Sequence, residues 1–432
     1  MKTTELWDTI VIGGGPAGSA SAGLLSKKGQ RVLILEKQSF PRFHIGESLL
    51  PYGNDVLHEL GIWEDLKSMS FMRKLGAEFV LGNSAGSHRF WFGKNLPQQY
   101  AQTFQVERAK FDKLLLEKAC SLGAHHLENA TVEDVFFRDD SVEVTYLHQN
   151  ERHQAKARYC VDASGRTSVV GRSLQLKKSD LGMPKKIAVF SHFHHVHRND
   201  GEAVGHITIV RIPNGWFWLI PLDAEKTSVG LVQMLADFKA QNLTPEESFN
   251  RTVQTHAELL FRMRNAKKIA PFYTEADYTF RHNRAAGPRW LLAGDAAGFI
   301  DPIFSSGVMV ALRSGRQAAH TVLSAAARNR PLSWWECRRY TRKFKQMTNV
   351  FYFMIRMFYD RHAFEVFMNP SPLLRLPAAV TNLVAGNTDF SWSLFWRVKI
   401  FFLLCRLQRW IPISPSLSYK STIPSSRLQP SF

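Results

Sequence analysis

The chain has 432 residues, 45% hydrophobic and 21% charged, which is ordinary for a folded soluble protein and long for one compact core. It has no run of eighteen or more uncharged apolar residues, which excludes a spanning helix, and its first residues read as a strand entering a glycine loop, not as a signal peptide. Net charge is +18, with 14 Lys or Arg against 4 Asp or Glu from Ser333 onward; this favours an anionic partner, but no nucleic-acid module is present and nucleic acid is not expected.

In chain order, Asp8 to Ile12 is a short apolar strand, Ala17 to Ser26 an Ala- and Ser-rich helix, and Arg31 to Glu36 a second strand: a βαβ unit. Arg108 to Cys120 has helical periodicity, with Phe111, Leu114, Leu115 and Ala119 on one face. Thr131 to Leu147 alternates like a hairpin, and Tyr159 to Asp162 is a buried strand. The segment from Ile187 to about Met234 is β-rich and aromatic and is expected to form much of a substrate cavity. Trp290 to Gly294 returns to the core, and helices are expected over Gly307 to Ala326 and Trp334 to Tyr359. A looser stretch with Pro370, Pro372 and Pro377 follows, then a helix over Ser391 to Ile411 and a Ser- and Pro-rich tail expected to be disordered. The implied fold class is α/β. Residues 1–330 would form a Rossmann-like domain with an interleaved β-rich substrate region at about 70–110 and 187–285. Residues 331–411 would be a helical region and 412–432 the tail.

Gly13, Gly15 and Gly18 in GGGPAG, with Pro16 and Ala17 between them, let backbone approach a pyrophosphate at a helix N-terminus. Glu36 ends the second strand 18 residues after Gly18, where a carboxylate can accept from ribose hydroxyls. The strand before and the helix after separate this motif from a chance glycine turn. NAD and FAD share it. Two later segments decide between them: CVDASGR, with Asp162, and LLAGDAAGFIDP, with Gly294 and Asp295. Together with Arg108 in QVERAKFD they resemble the FAD-binding monooxygenase superfamily. That resemblance implies tightly bound FAD, with Asp295 accepting from the ribityl chain and Arg108 near the phosphate or ribityl part.

A narrower resemblance follows. GWFWLIPL, with Trp216, Trp218, Ile220 and Pro221, matches the W-x-W-x-I-P signature of flavin-dependent halogenases. FIDPIFSSG, with Phe299, Pro302, Ser305 and Gly307, matches their F-x-x-P-x-x-S-x-G pattern. His44 to Pro51 and Lys74 in RKLGAEF are also similar to that family. The resemblance spans roughly Asp8 to Tyr359. It implies reduced FAD supplied by a separate reductase, O2, and chloride or bromide oxidised to hypohalous acid. Backbone N–H groups at Ser306 and Gly307 would bind halide. Lys74 would hold the oxidant, and a dry site would lower its pKa toward the neutral amine. Trp216, Trp218 and Pro302 would wall flavin from substrate. Where tryptophan halogenases carry a glutamate this chain has Phe304, so it looks like the phenol and pyrrole branch, several of whose members act on substrates tethered to carrier proteins.

Each element has a plainer reading. Lys74 can be a surface lysine, Trp216 and Trp218 can be core on one strand face, and Ser305 and Ser306 can be a helix N-cap. His192, His194, His195 and His197 alternate between faces and are read as structural or surface residues. No metal is expected, and Cys120, Cys160, Cys337 and Cys405 are expected as reduced thiols of a cytoplasmic protein. In Ser391 to Ile411, Lys399, Arg406 and Arg409 fall within an arc of about 80°. Such a helix can lie on an anionic membrane, dock an acidic carrier, or pack on its own domain. The expected activity is therefore an FADH2-dependent halogenase of a phenol- or pyrrole-like ring. A reductase or monooxygenase of the same superfamily, acting on a lipid, polyene or aromatic substrate, is the alternative, and a non-catalytic flavoprotein is a third reading.

Overall fold

A computed structural model describes residues 6–83, 86–277 and 279–418. The first sheet carries the dinucleotide topology. Its strands run side by side as Ala286–Gly287, Trp290–Leu292, Glu151–Asp162, Leu6–Ile12, Val32–Leu35 and His125–Leu127, all parallel except the first. The central strands are continuous apolar runs because helices cover both faces. Ile10, Val11, Val32, Ile34, Val161 and Leu291 are wholly buried. A hairpin, Thr131–Phe137 and Val142–His148, adds antiparallel to the outer part of Glu151–Asp162.

The helix Pro16–Ser26 is buried at every position. Its small residues are required by two neighbours, the helices Arg108–Ser121 and Gly307–Ala326. A Cβ on Gly315 would lie 2.4 Å from the Ala17 carbonyl oxygen. This crossing holds the glycine loop against the start of the later helix.

The second sheet runs Lys267–Lys268, Lys186–His194, Thr227–Met234, Gly215–Pro221, Ile207–Ile212, Gly76–Leu81 and Ser87–Trp91, with Tyr273–Asp277 also paired to Lys186–His194. Alternation splits its residues by face. Trp216, Trp218, Ile207 and Ile209 look into a cavity, while Phe217, Leu219, Val229 and Leu231 pack with Phe249, Val253 and Leu259 of two covering helices. A short ribbon, Met72–Lys74 with Thr103–Gln105, sits beside this sheet.

The C-terminal region is a helical layer on the same core, Trp334–Tyr359, Arg361–Met368, Leu376–Val384 and Trp392–Leu407. The stretch expected to be loose thus contains two helices. Asp360 caps the first through the Ala363 N–H, and Pro377 sits in the opening turn of the second, where a missing N–H costs nothing. Of the expected tail, residues 412–418 are tied down: Gln408 Oε1 accepts from the N–H groups of Ile413 and Ser414, and Glu365 from that of Leu417. Residues 419–432 lie outside the described residues. Among the described residues no helix is long and apolar enough to cross a membrane.

Candidate functional site

A cavity of about 700 Å³ runs between the two sheets, from the glycine loop to the indoles of Trp216 and Trp218. That is within the range of cofactor-sized sites, about 300–1,000 Å³. Gly13 turns with φ +99°, and a Cβ there would meet the Ala163 carbonyl oxygen at 2.5 Å. Gly18 must be bare because a Cβ would meet Gly13 O at 1.8 Å. Gly15, Pro16 and Ala17 line the cavity, and Glu36 closes the loop by accepting from Gly14 N–H at 2.7 Å and Gln38 N–H at 2.9 Å.

Two of the expected cofactor residues act from behind the wall. Gly18 serves helix packing. Asp162 is buried and fully used: it accepts from Ser164 N–H and Oγ–H at 3.0 and 2.6 Å and from Val170 N–H at 2.7 Å. The residues it positions, Ala163, Ser164 and Gly165, are the ones on the cavity. Asp162 is therefore corrected from a contact residue to a loop-holding one, because its carboxylate has no face toward the cavity.

Arg108 does reach the cavity, gripped by Asp112 through two hydrogen bonds of 2.8 and 2.9 Å and donating to Ile45 O at 2.7 Å. Arg42, which the sequence reading did not single out, lies beside it. Its guanidinium stacks on Phe40, and its Nη2 lies 3.3 Å from where a Gly15 Cβ would be. Its Nε and Nη1 are buried with no hydrogen-bond acceptor, although Asp112 is 3.4 Å away. No motif marks Arg42; a lone arginine after a proline gives no signal. Gly294, at φ +58°, lets Ala17 and Ala311 close on the turn, and Asp295 faces the cavity. Burial raises the Asp295 carboxyl to about 6 against the opposing pull of Arg108 and Arg166. A bare loop, an arginine beside it with two buried N–H groups still to be satisfied and a cavity-facing carboxylate further along fit FAD.

At the far end stand the indoles. Trp216 and Trp218 are buried with centroids 5.8 Å apart. Trp218 donates to Ser228 Oγ at 3.1 Å, and Gly230 leaves room for it: a Cβ there would lie 2.2 Å from its ring. Trp216 donates to Tyr359 Oη at 2.9 Å, which donates to Asp301 Oδ2 at 2.9 Å, and Lys186 Nζ lies 2.8 Å from the same oxygen. Lys186 and Tyr359 were silent in the sequence because they stand outside the recognised motifs.

Ser305 takes the left-handed conformation at φ +55°, and the 20-residue helix Gly307–Ala326 starts beyond it. Ser305, Gly307 and Pro302 line the cavity, while Ser306 is buried at the N-cap and makes no side-chain cap bond. Space is open beside Gly307. The helix N-terminus is thus aimed at the cavity, a favourable place for an anion. Phe304 turns the other way, into a cluster with Phe79, Phe358 and Phe367.

Lys74 is 1% exposed. Its Nζ donates to Ser48 Oγ at 2.8 Å and Leu49 O at 2.7 Å, with the Phe92 ring centroid at 5.8 Å. Burial lowers its pKa to about 7. Lys74 is not on the cavity wall, but Ser48 is. His206 lies near, held neutral at about 4 by burial. His192, read as structural or surface, pairs with the buried Glu47 at 2.7 Å, and Glu47 lines the cavity.

The model of the FAD-binding domain family matches residues 7–329. A 1H-pyrrole-2-carbonyl-[peptidyl-carrier protein] chlorinase of Pseudomonas fluorescens is 36% identical over 346 residues, covering 75% of this chain and 77% of that one. The corresponding brominase of Pseudoalteromonas luteoviolacea is 31% identical over 329 residues, covering 75% and 79%. Among solved structures, a flavin-dependent brominase superposes with a TM-score of 0.82 at 28% identity, covering 92% and 98%. A flavoprotein/dehydrogenase from Cytophaga hutchinsonii superposes with a TM-score of 0.85 at 30% identity, covering 94% and 99%.

Proposed function

This chain belongs to the flavin-dependent halogenases, and from that premise we propose that it halogenates a pyrrole ring carried as an acyl group on a carrier protein, with Lys74 as the residue that delivers the halogen. The observation that carries the assignment of Lys74 is its burial without a carboxylate partner, which lowers the amine to about 7. A neutral amine is a nucleophile, and an ammonium is not. The pyrrole and its carrier come from what the two similar proteins act on.

When bound, reduced FAD with O2 supplies the oxidising power that turns halide into hypohalous acid. A separate flavin reductase is the proposed source of FADH2. Arg42, Arg108 and the glycine loop would hold the phosphates, and Asp295 the ribityl hydroxyls. The N-terminus at Gly307 would seat chloride or bromide. Trp216 and Trp218 would keep the ring substrate off the flavin, so that only a small oxidant passes. The basic helix Trp392–Leu407 is the proposed docking surface for an acidic carrier, with contact to an anionic membrane as the second use of the same charges. Phe304 at the position of a polarising glutamate suits a pyrrole, which is electron-rich without help.

The test is turnover with FAD, NADH, a flavin reductase, O2 and bromide, offered pyrrole-2-carbonyl loaded on a carrier protein. Mass spectrometry should find a paired bromine isotope pattern on the acyl group. Lys74→Ala should bind FAD as before and make no product. A Lys74→Ala protein that brominates at the normal rate would remove Lys74 from this role. Failure of the intact enzyme on loaded carrier, with FAD reduced, would remove the carrier-bound pyrrole as its substrate and turn the same assay to free phenols and pyrroles.

A further inference from the structure

We propose that Ser48 is the positioning residue between the flavin cavity and Lys74, passing the proton that must move when the halogen transfers. The inference rests on Lys74 being the halogen carrier. Ser48 joins two places that otherwise do not meet. It lines the cavity, and its Oγ accepts from Lys74 Nζ at 2.8 Å. The other acceptor of that amine, Leu49 O, is a backbone carbonyl off the cavity wall.

The backbone fixes this arrangement. Ser48 forms an antiparallel bridge with Gln105, bracketed by Leu49 N–H to Phe104 O at 3.1 Å and Val106 N–H to Glu47 O at 2.7 Å. Gln105 in turn pairs with Met72, and Thr103 with Lys74. Residues opposed in an antiparallel pair share a face, so Ser48, Gln105 and Lys74 emerge on one side. Ser48 is 4% exposed and cannot turn away.

The chemistry needs a group of this type. The Lys74 lone pair attacks the halogen of hypohalous acid. An N–halogen bond forms and the O–halogen bond breaks, its electron pair leaving on oxygen. The departing hydroxide needs a proton, and the amine nitrogen has one to lose. A hydroxyl can accept from one and donate to the other in the same step. Ser48 gives its proton to the hydroxide, forming water, and takes one from Lys74. The sum is amine plus hypohalous acid to haloamine plus water, with no change in the oxidation level of the halogen. A carbonyl such as Leu49 O can only accept.

The experiment compares Ser48→Ala, Ser48→Thr and Lys74→Ala in the full chain with FAD, reductase and bromide. FAD affinity and flavin oxidation should be unchanged in all three. In Ser48→Ala, brominated product per flavin oxidised should fall at least about tenfold. Hypobromous acid trapped by a diketone scavenger should rise to match. The acid limb of the pH profile should move to lower pH, since the ammonium loses an acceptor that favoured it. Ser48→Thr keeps the hydroxyl and should restore coupling. Normal coupling with an unmoved pH profile in Ser48→Ala, while Lys74→Ala is inactive, overturns the Ser48 role alone. Normal coupling in Lys74→Ala overturns the reading beneath it.

Discussion

Two buried lysines in this protein have opposite surroundings. Lys186 has the Asp301 carboxylate at 2.8 Å and belongs to a chain of polar groups that ends on Trp216. Lys74 has a hydroxyl and a carbonyl, and burial brings it to about 7. Position within the fold, not residue type, thus makes one a strut and leaves the other an amine close to neutral. Asp295 is displaced in the same way, to about 6 by burial. Its folded value lies above its unfolded one, so its contribution to stability is complete below the unfolded value near 4 and is lost as pH rises through about 6. A ribityl hydroxyl donating to the carboxylate favours the ionised form. FAD binding should therefore release a proton near pH 6, and FAD affinity should rise several-fold, up to about tenfold, from pH 5 to pH 7. Quenching of tryptophan fluorescence by FAD measures this directly. Asp295→Asn should bind more weakly with a flat profile, and a wild-type affinity that does not change across this range would detach the carboxylate from the cofactor.

The indole wall is a property of paired strands. Trp216 and Trp218 alternate with Phe217 on Gly215–Pro221, and Thr227–Met234 alongside supplies Gly230 opposite Trp218. Adding a methyl at Gly230 would put a carbon 2.2 Å from the indole, a distance the sheet cannot accept without moving the ring. Gly230→Ala should lower stability by about 1–3 kcal/mol, a fall in Tm of at least a few degrees, and should change the near-ultraviolet circular dichroism of the tryptophans. A variant with wild-type melting and spectrum would mean that the strands slide apart at no cost. The sequence announced the indoles through their alternation, but not the glycine across from them, because strand register is a long-range fact. The same reason hid the ribbon that aims Ser48 at Lys74. The helices Arg361–Met368 and Leu376–Val384 were masked by Pro370, Pro372 and Pro377, which read as breaks although Pro377 opens a helix. By contrast, the glycine loop and the helix Gly307–Ala326 were legible, since local turn chemistry and helical period specify them.

On the scale of the whole molecule, positive charge is gathered on the C-terminal layer. The helix Trp392–Leu407 buries Val398, Phe401 and Cys405 on one side, which the reading of a helix packed on its own domain requires. The other side keeps Trp392 at 76% exposure and Trp396 at 48%, with Lys399 and Arg406 also exposed. No acidic residue occurs between Ser391 and Ser418. An acidic carrier meeting this face would be drawn by charges that salt screens over about 10 Å at 0.1 M. KM for the loaded carrier should therefore climb with salt while kcat holds. The double variant Lys399→Glu with Arg406→Glu should raise that KM roughly tenfold and leave kcat at saturating carrier unaltered. Neither residue approaches the FAD cavity, so FAD affinity serves as the folding control. If the double variant keeps the KM of the parent but no longer sediments with anionic vesicles, the helix serves a membrane and the carrier docks elsewhere. If it keeps both, the charges are solvated and the helix is there for the core it covers.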